Sequence, residues 1–171
     1  MTNEYHVRRA TPADADIIGT HRARMFYDMG DIPEHLFEEF RDRSRERIHQ
    51  QLVSGEYAGW LASPANSLGQ IIAGGGAQLR RVMPHPSTGP NGEQGIAEGS
   101  HAIIINVYTE PEWRRRGVAT LVMQHIIDWS RKERLDRLLL HASDDGRALY
   151  EKLGFVLTNE MKFVGKEKPS V

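Results

Sequence analysis

The sequence predicts an α/β fold, with one mixed, mostly antiparallel sheet flanked by helices. Three observations carry this. Apolar, β-branched runs of strand length (102–109 and 137–142) alternate with segments of helical period, such as Val118, Val122, Ile126 and Trp129. Two further apolar runs, 57–62 and 69–79, flank Pro64-Ala65-Asn66-Ser67 and read as a hairpin, which makes part of the sheet antiparallel. At 171 residues the chain is expected to form a single domain, 1–171, long enough to bury a sizeable core.

The elements follow in order. Residues 5–9 alternate and read as a short first strand. Thr11-Pro12-Ala13-Asp14 then starts a helix: Thr11 suits the cap, Pro12 the first turn, and Asp14 completes a capping-box pattern. Ile18, Arg22, Met25 and Met29 continue it at helical spacing, and Gly30 stops it. A second helix begins near Pro33 and turns Leu36, Phe37, Phe40, Ile48 and Leu52 inward. Its mixed-charge run, residues 41–47, reads as a solvated face. Gly74-Gly75-Gly76 inside the second hairpin strand implies a bulge or a close backbone approach. Residues 82–99 hold three prolines and four glycines and read as a mobile cover without regular structure. The strand at 102–109 leads to a helix over about 116–131, then to a buried apolar strand at 137–142 and a short helix over about 146–153. Residues 155–157 and 161–163 read as a last extended segment, and 166–171 as a disordered tail.

Composition excludes several functions. With 22 basic and 23 acidic residues the formal charge is −1, which argues against a nucleic-acid partner. No cysteine is present, so disulfides, thiolate metal sites and a cysteine nucleophile are all excluded. The eight histidines show no ligand spacing, so no metal is expected. No apolar run approaches the ~20 residues of a membrane span, and residues 1–10 lack a signal-peptide core, so no membrane association and a cytoplasmic location are expected.

The most informative segment is the junction Arg114-Arg115-Arg116-Gly117-Val118-Ala119 between strand and helix. The first N–H groups of a helix lack intrahelical partners, and the dipole adds positive charge there. Gly117 and Ala119 are small enough for a phosphate to approach the backbone, and three arginines add forked donors.

Glu110-Pro111-Glu112-Trp113-Arg114-Arg115-Arg116-Gly117-Val118-Ala119-Thr120 resembles the acetyl-CoA signature of the GCN5-related N-acetyltransferases, whose Gln/Arg-x-x-Gly-x-Gly/Ala core is matched by Arg114, Gly117 and Ala119. A second motif, Ala148-Leu149-Tyr150-Glu151-Lys152-Leu153-Gly154-Phe155, follows in the family's order. The resemblance implies that the strand at 102–109 and the one at 137–142, fourth and fifth in this reading, splay apart. Backbone groups of Val107, Tyr108 and Thr109 would then pair with the pantetheine arm, and the segment Arg115, Arg116, Gly117, Val118, Ala119 and Thr120 would cradle the pyrophosphate. Arg114 stands at the first signature position. The resemblance makes Tyr150 the proton donor to the departing thiolate, which suits a phenol that stays protonated at neutral pH. Its alternative is a tyrosine that shapes the tunnel. Ser143 stands where many relatives have a pantetheine-contacting asparagine, with a helix cap as the alternative.

An attacking ammonium must first lose a proton. Where some relatives carry a glutamate early in the fifth strand, this chain has Leu138. The role must therefore move or be taken by a water chain; Glu110 and His141 are the best substitutes, with His101 and Glu98 behind them, and His125 reads as packing or surface. Phe26, Tyr27 and Met29, with the 82–99 stretch, are expected to line the acceptor pocket. The resemblance therefore implies an N-acetyltransferase that uses acetyl-CoA as cosubstrate and acts directly on an amine of a small molecule or peptide. A non-catalytic acyl-CoA-binding module is the alternative, and a homodimer is left open.

Overall fold

The computed structural model describes residues 4–162. Its main sheet takes strands in the order β1 (Tyr5–Arg9), β2 (Tyr57–Pro64), β3 (Ala73–Arg81), β6 (Ser100–Thr109) and β7 (Arg137–Leu140). All neighbours are antiparallel except β6 and β7, which run parallel. Helices α1 (Ala15–Asp28) and α2 (Phe37–Ser54) precede β2, and α3 (Val118–Lys132) connects β6 to β7. The short strands β4 (His85–Thr88) and β5 (Gln94–Ala97) make a separate hairpin, and α4 (Asp144–Lys152) closes the regular structure. The chain separates into two compact units, residues 1–141 and 142–171. The first contains every strand, and the second contains α4.

Every residue of β2 is buried, as a strand covered on both faces must be. On one face Tyr57 and Leu61 join Ala15, Ile18 and Ile48 of α1 and α2. On the other, Trp60 meets Trp129 of α3 edge-on at 5.4 Å. The fully buried Val118, Val122, Met123 and Ile126 give α3 its apolar stripe, the pattern read from the sequence.

The triple glycine is a packing feature. A Cβ on Gly76 would overlap the Tyr57 hydroxyl and approach the Ala58 carbonyl at 2.7 Å, and one on Gly74 would meet the Leu61 side chain at 2.9 Å. Gly76→Ala should therefore destabilise the fold by about 1–3 kcal/mol through overpacking, seen as a fall in Tm of several degrees. An unchanged Tm would show that Tyr57 can move aside.

The entry to α1 is tied to β1. Asp14 accepts from the Thr11 N–H at 2.8 Å and from the two terminal guanidinium nitrogens of Arg8, at 2.7 and 2.9 Å. The Arg8 guanidinium, with help from Thr11, holds the Asp14 carboxyl down to about 2. Its contribution is present above about pH 4 and is lost as pH falls through about 2. Asp14→Asn should lower Tm at pH 7, and the gap from the parent should close as both are melted toward pH 2. A gap that persists at pH 2 would assign the effect to packing.

Several sequence expectations are corrected. Residues 82–99 are not irregular: His85 to Thr88 pairs in register with Ala97 to Gln94 around a turn closed by the Gly89 N–H to the Glu93 carbonyl at 2.8 Å. The prolines and glycines there occupy hairpin ends and turn positions, where they are compatible with a two-stranded ribbon. The hairpin joins β6 at Ser100, the end opposite Thr109, and ten strand residues at ~3.3 Å each separate its base from Glu110. It is not a cover beside Glu110. Leu36 lies in a 3-10 turn before α2 and is exposed rather than inward. Strand β7 is half-exposed rather than buried, because among the described residues it pairs on one side alone. Residues 155–162 form no strand, and Val156, Leu157 and Met161 are exposed, since no sheet edge pairs with them among the described residues. Phe163 and the expected tail, 166–171, lie outside the described residues.

Candidate functional site

The site is built at the C-terminal end of β6. There the register to β3 jumps from Gly76 opposite Ile105 to Gly74 opposite Tyr108, so Asn106 and Val107 together oppose Gly75. This is a β-bulge, and Asn106 takes its left-handed turn at φ 60°. A buried network holds it. The Asn106 side chain accepts from Arg22 at 2.7 Å and donates to the Tyr57 hydroxyl at 3.3 Å. Burial pushes the Tyr57 phenol up to about 12, so it remains a neutral partner. Pairing with β7 ends at Ile104 opposite Leu140. Strand β7 itself ends at Leu140, so among the described residues β6 has no partner on that side from 105 to 109. Val107, Tyr108 and Thr109 lie in this open stretch.

The chain then turns through Pro111–Trp113 into the basic loop. Arg115 has φ 63° and Gly117 φ 81°. A left-handed non-glycine residue costs about 1–2 kcal/mol, and such strain is retained where geometry is used. Alternating hands of this kind turn successive N–H groups toward one concavity, which suits an anion. The first intrahelical bond of α3 is from Leu121 to the Gly117 carbonyl at 3.1 Å, which leaves the N–H groups of Val118, Ala119 and Thr120 at the helix mouth. Arg115 and Arg116 are exposed beside them, with Arg116 stacked over Trp113 at 5.2 Å.

Arg114 does something else. Its Nε donates to the Thr109 carbonyl at 2.9 Å and its other nitrogen to Asp28 at 2.6 Å, while the guanidinium covers the Tyr108 ring at 5.4 Å. It ties the loop to β6 and α1. Asp28, far away in sequence, pairs with the guanidinium.

A cleft of about 580 Å³ opens beside this end of β6. Arg24 and Asp28 of α1, residues 70–72, Tyr108, Glu110, Pro111 and Glu112 line it. Glu110 is held at two points, with a buried histidine close by. Its N–H donates to the Ile72 carbonyl at 2.9 Å, its carboxylate accepts from Arg24, and His21 Nε2 stands 3.3 Å from the same oxygen. Burial raises the Tyr108 phenol, with the Asp28 and Glu110 charges adding to it and Arg114 opposing.

The other sequence candidates separate. Phe26 packs edge-on against Phe40 at 5.3 Å and Tyr27 against Phe37 at 5.9 Å, so both serve the α1–α2 contact. Met29 lies past the end of α1. None of the three lines the cleft, since residues four apart, Arg24 and Asp28, share the helix face that does. His141 is exposed at the end of β7, outside the cleft. His101 lies at the start of β6, against His85 of the hairpin, and Glu98 precedes it. Within the second unit, Ser143 caps α4 by accepting from the Gly146 N–H at 3.3 Å, the alternative its position offered. Tyr150 packs edge-on to Phe155 at 6.2 Å, and burial pushes its phenol up. Sequence reasoning missed His21, Arg24, Asp28 and residues 70–72. Among the described residues no three histidine, cysteine, aspartate or glutamate side chains group as metal ligands, and no helix is long and apolar enough to cross a membrane.

Known proteins bear on this arrangement. A GCN5-related N-acetyltransferase from Ralstonia eutropha JMP134 is 25% identical, with a TM-score of 0.79 over 93% of this chain and 97% of that one. A predicted acetyltransferase from Clostridium acetobutylicum, solved with acetyl-CoA, is 24% identical, with a TM-score of 0.73 over 94% and 96%. Glucosamine-6-phosphate N-acetyltransferase from Arabidopsis thaliana shares the fold at 16% identity, with a TM-score of 0.60 over 96% and 99%. None of the curated proteins matches the chain significantly. The family model for acetyltransferases of the GNAT type matches residues 15–155, from the first helix through the loop, the cleft and Tyr150, and on that match the chain belongs to the Acetyltransferase (GNAT) family.

Proposed function

We propose that this protein moves an acetyl group from acetyl-CoA directly to a primary amine of a small molecule or peptide, the amine entering the cleft beside Glu110. The observation that carries this reading is adjacency. The anion-suited loop and an acid-lined cleft both lie at the C-terminal end of β6. The acetyltransferase from Clostridium acetobutylicum, solved with acetyl-CoA, supports the cosubstrate.

Acetyl-CoA, when bound, supplies the thioester whose acyl carbon the amine attacks. The N–H groups of Val118, Ala119 and Thr120 bind its phosphates, with Arg115 and Arg116 adding charge. The open backbone of 107–109 positions the arm and offers N–H groups to negative charge building on the acyl oxygen. Glu110 accepts the proton that the ammonium must lose, and Tyr150 gives a proton to the departing sulfur. The nitrogen loses two protons between ammonium and amide, the sulfur takes up one, and the other passes through Glu110 to solvent, so one proton is released per turnover and no covalent enzyme intermediate is needed.

A thiol-release assay over polyamines, aminoglycosides, amino sugars, amino acids and peptide N-termini tests the reaction. Calorimetry with acetyl-CoA tests the loop separately, and binding without turnover on any amine would favour an acyl-CoA-binding module instead. A Cβ on Gly117 meets nothing within 4 Å, so substitution there acts through the backbone and through charge. Gly117→Glu should cut acetyl-CoA affinity about tenfold or more, from left-handed strain plus an anion at the helix mouth. Affinity within twofold of the parent would remove the loop from the binding site.

A further inference from the structure

We propose that His21 is a positioning residue for the Glu110 carboxylate, donating its Nε2–H from behind the cleft wall. The proposal rests on the reading of Glu110 as the amine's base and identifies what keeps that base in place.

His21 is on α1, one turn before Arg24 and two before Asp28, the two cleft residues of that helix. Its side chain is 2% exposed, against 15% for Glu110 and 45% for Arg24. Its ring lies tilted against Tyr108 at 5.1 Å. Both ring nitrogens are buried without a hydrogen bond, because Nε2 is near the Glu110 oxygen but out of line. An unmade bond to a buried polar atom costs about 1–3 kcal/mol, so a histidine here calls for a use.

The surroundings decide which nitrogen carries the proton. Nδ1 faces β3, where a Cβ on Gly74 would come within 3.7 Å. Nε2 faces a carboxylate oxygen, which accepts and does not donate. Two acceptors face to face repel, so the proton belongs on Nε2. The groups that face the ring are Arg24 on its own helix and Tyr108 and Glu110 at the end of β6. Burial, with the Arg24 charge, pulls the imidazole down to about 4, so it is neutral at pH 7 and carries one N–H.

Arg24 binds the same oxygen but is far more exposed, and it is free to swing away when a cationic amine enters. His21 is locked by packing, and a small turn of the carboxylate brings its oxygen into line with Nε2–H. One helix thus gives Glu110 a movable partner and a fixed one. The fixed partner keeps the carboxylate aimed at the cleft when the movable partner leaves.

The test uses the acetyl-CoA-saturated protein. Long-range ¹⁵N spectra of histidine-labelled protein should show His21 neutral, with its proton on Nε2, from pH 6 to pH 9. A proton on Nδ1, or an imidazolium, overturns the proposal. His21→Gln presents an amide N–H near the Nε2 position, His21→Asn falls short of it, and His21→Leu keeps bulk without a donor. With the best amine from the panel, His21→Leu and His21→Asn should lose kcat by up to about 10²-fold, the cost of misaiming a group by about 1 Å, with KM for acetyl-CoA unchanged. The acid limb of their pH–rate profiles should move, and His21→Gln should restore both to within a few-fold. Should His21→Leu not fold, the Gln and Asn pair decides. Equal losses in Gln and Asn with an unmoved pH profile would mean packing alone and overturn the proposal, as would parental kcat in Asn or Leu. Full turnover in Glu110→Gln would remove the base reading and this proposal together, whereas a dead Glu110→Gln beside a fully active His21→Leu would remove this proposal alone.

Discussion

Tyr150→Phe should lower turnover by about 10²–10⁴-fold while leaving acetyl-CoA affinity nearly unchanged. The substitution removes one oxygen and keeps the ring. That ring packs against Phe155 and over Gly146, four residues earlier, where a Cβ would meet it at 2.8 Å. These contacts survive in phenylalanine, so α4 should fold as before. Burial raises the phenol, which keeps it protonated at neutral pH, the state a donor to a leaving thiolate needs. Stopped-flow thiol release against the best amine measures the effect, and calorimetry checks the cofactor. Turnover within threefold of the parent would reduce Tyr150 to a ring that shapes its surroundings, the alternative that its position in the motif leaves open. A thiol with a lower pKa leaves without help, so an acetyl thioester of such a thiol, if accepted, should narrow the deficit.

How much of this was legible in the sequence follows from what each feature depends on. Helix α3 and strand β6 were readable because one stripe, Val118 to Ile126, and one apolar run carry their whole signal locally. The loop was readable because a helix N-terminus is a local object. The hairpin at 82–99 was misread because its prolines and glycines look like breakers, while pairing between His85 and Ala97 is a contact between segments. The residues that line the cleft were not legible for a similar reason. Which face of α1 meets β6 is fixed by the buried set Ala15, Ile18 and Gly19 against α2 and the sheet, and that rotation turns Phe26 and Tyr27 toward α2. Arg24 meets Glu110, and Asp28 meets Arg114, each across 86 positions of chain. No local pattern announces such pairs. Glu110 itself was found because it adjoins the signature, whereas His21 carries no motif and becomes visible through its burial.

Glu110→Gln should lower kcat by about 10²–10⁴-fold at pH 7, with Tm and acetyl-CoA affinity close to those of the parent. Glutamine keeps the side chain's length and can still lie between Arg24 and the cleft, but it cannot take a proton from an ammonium. The lost ion pair with Arg24 is half-exposed on the arginine side, and pairs of that kind contribute at most about 1 kcal/mol, so the fold is not the source of the effect. The backbone tie from Glu110 to Ile72 is unaffected by the substitution and holds the turn. The kinetic constant affected separates base catalysis from mere binding. An amine of ordinary basicity, pKa ≈ 10, is mostly protonated at pH 7 and loses its proton unaided as pH rises. If Glu110 removes that proton, the deficit of Glu110→Gln should shrink between pH 7 and pH 10. If Glu110 only attracts the ammonium, the deficit should appear in KM with kcat near the parent's, and that KM deficit should shrink over the same range as the cation disappears. Parental kcat at pH 7 would exclude Glu110 as the base and leave proton removal to bulk water.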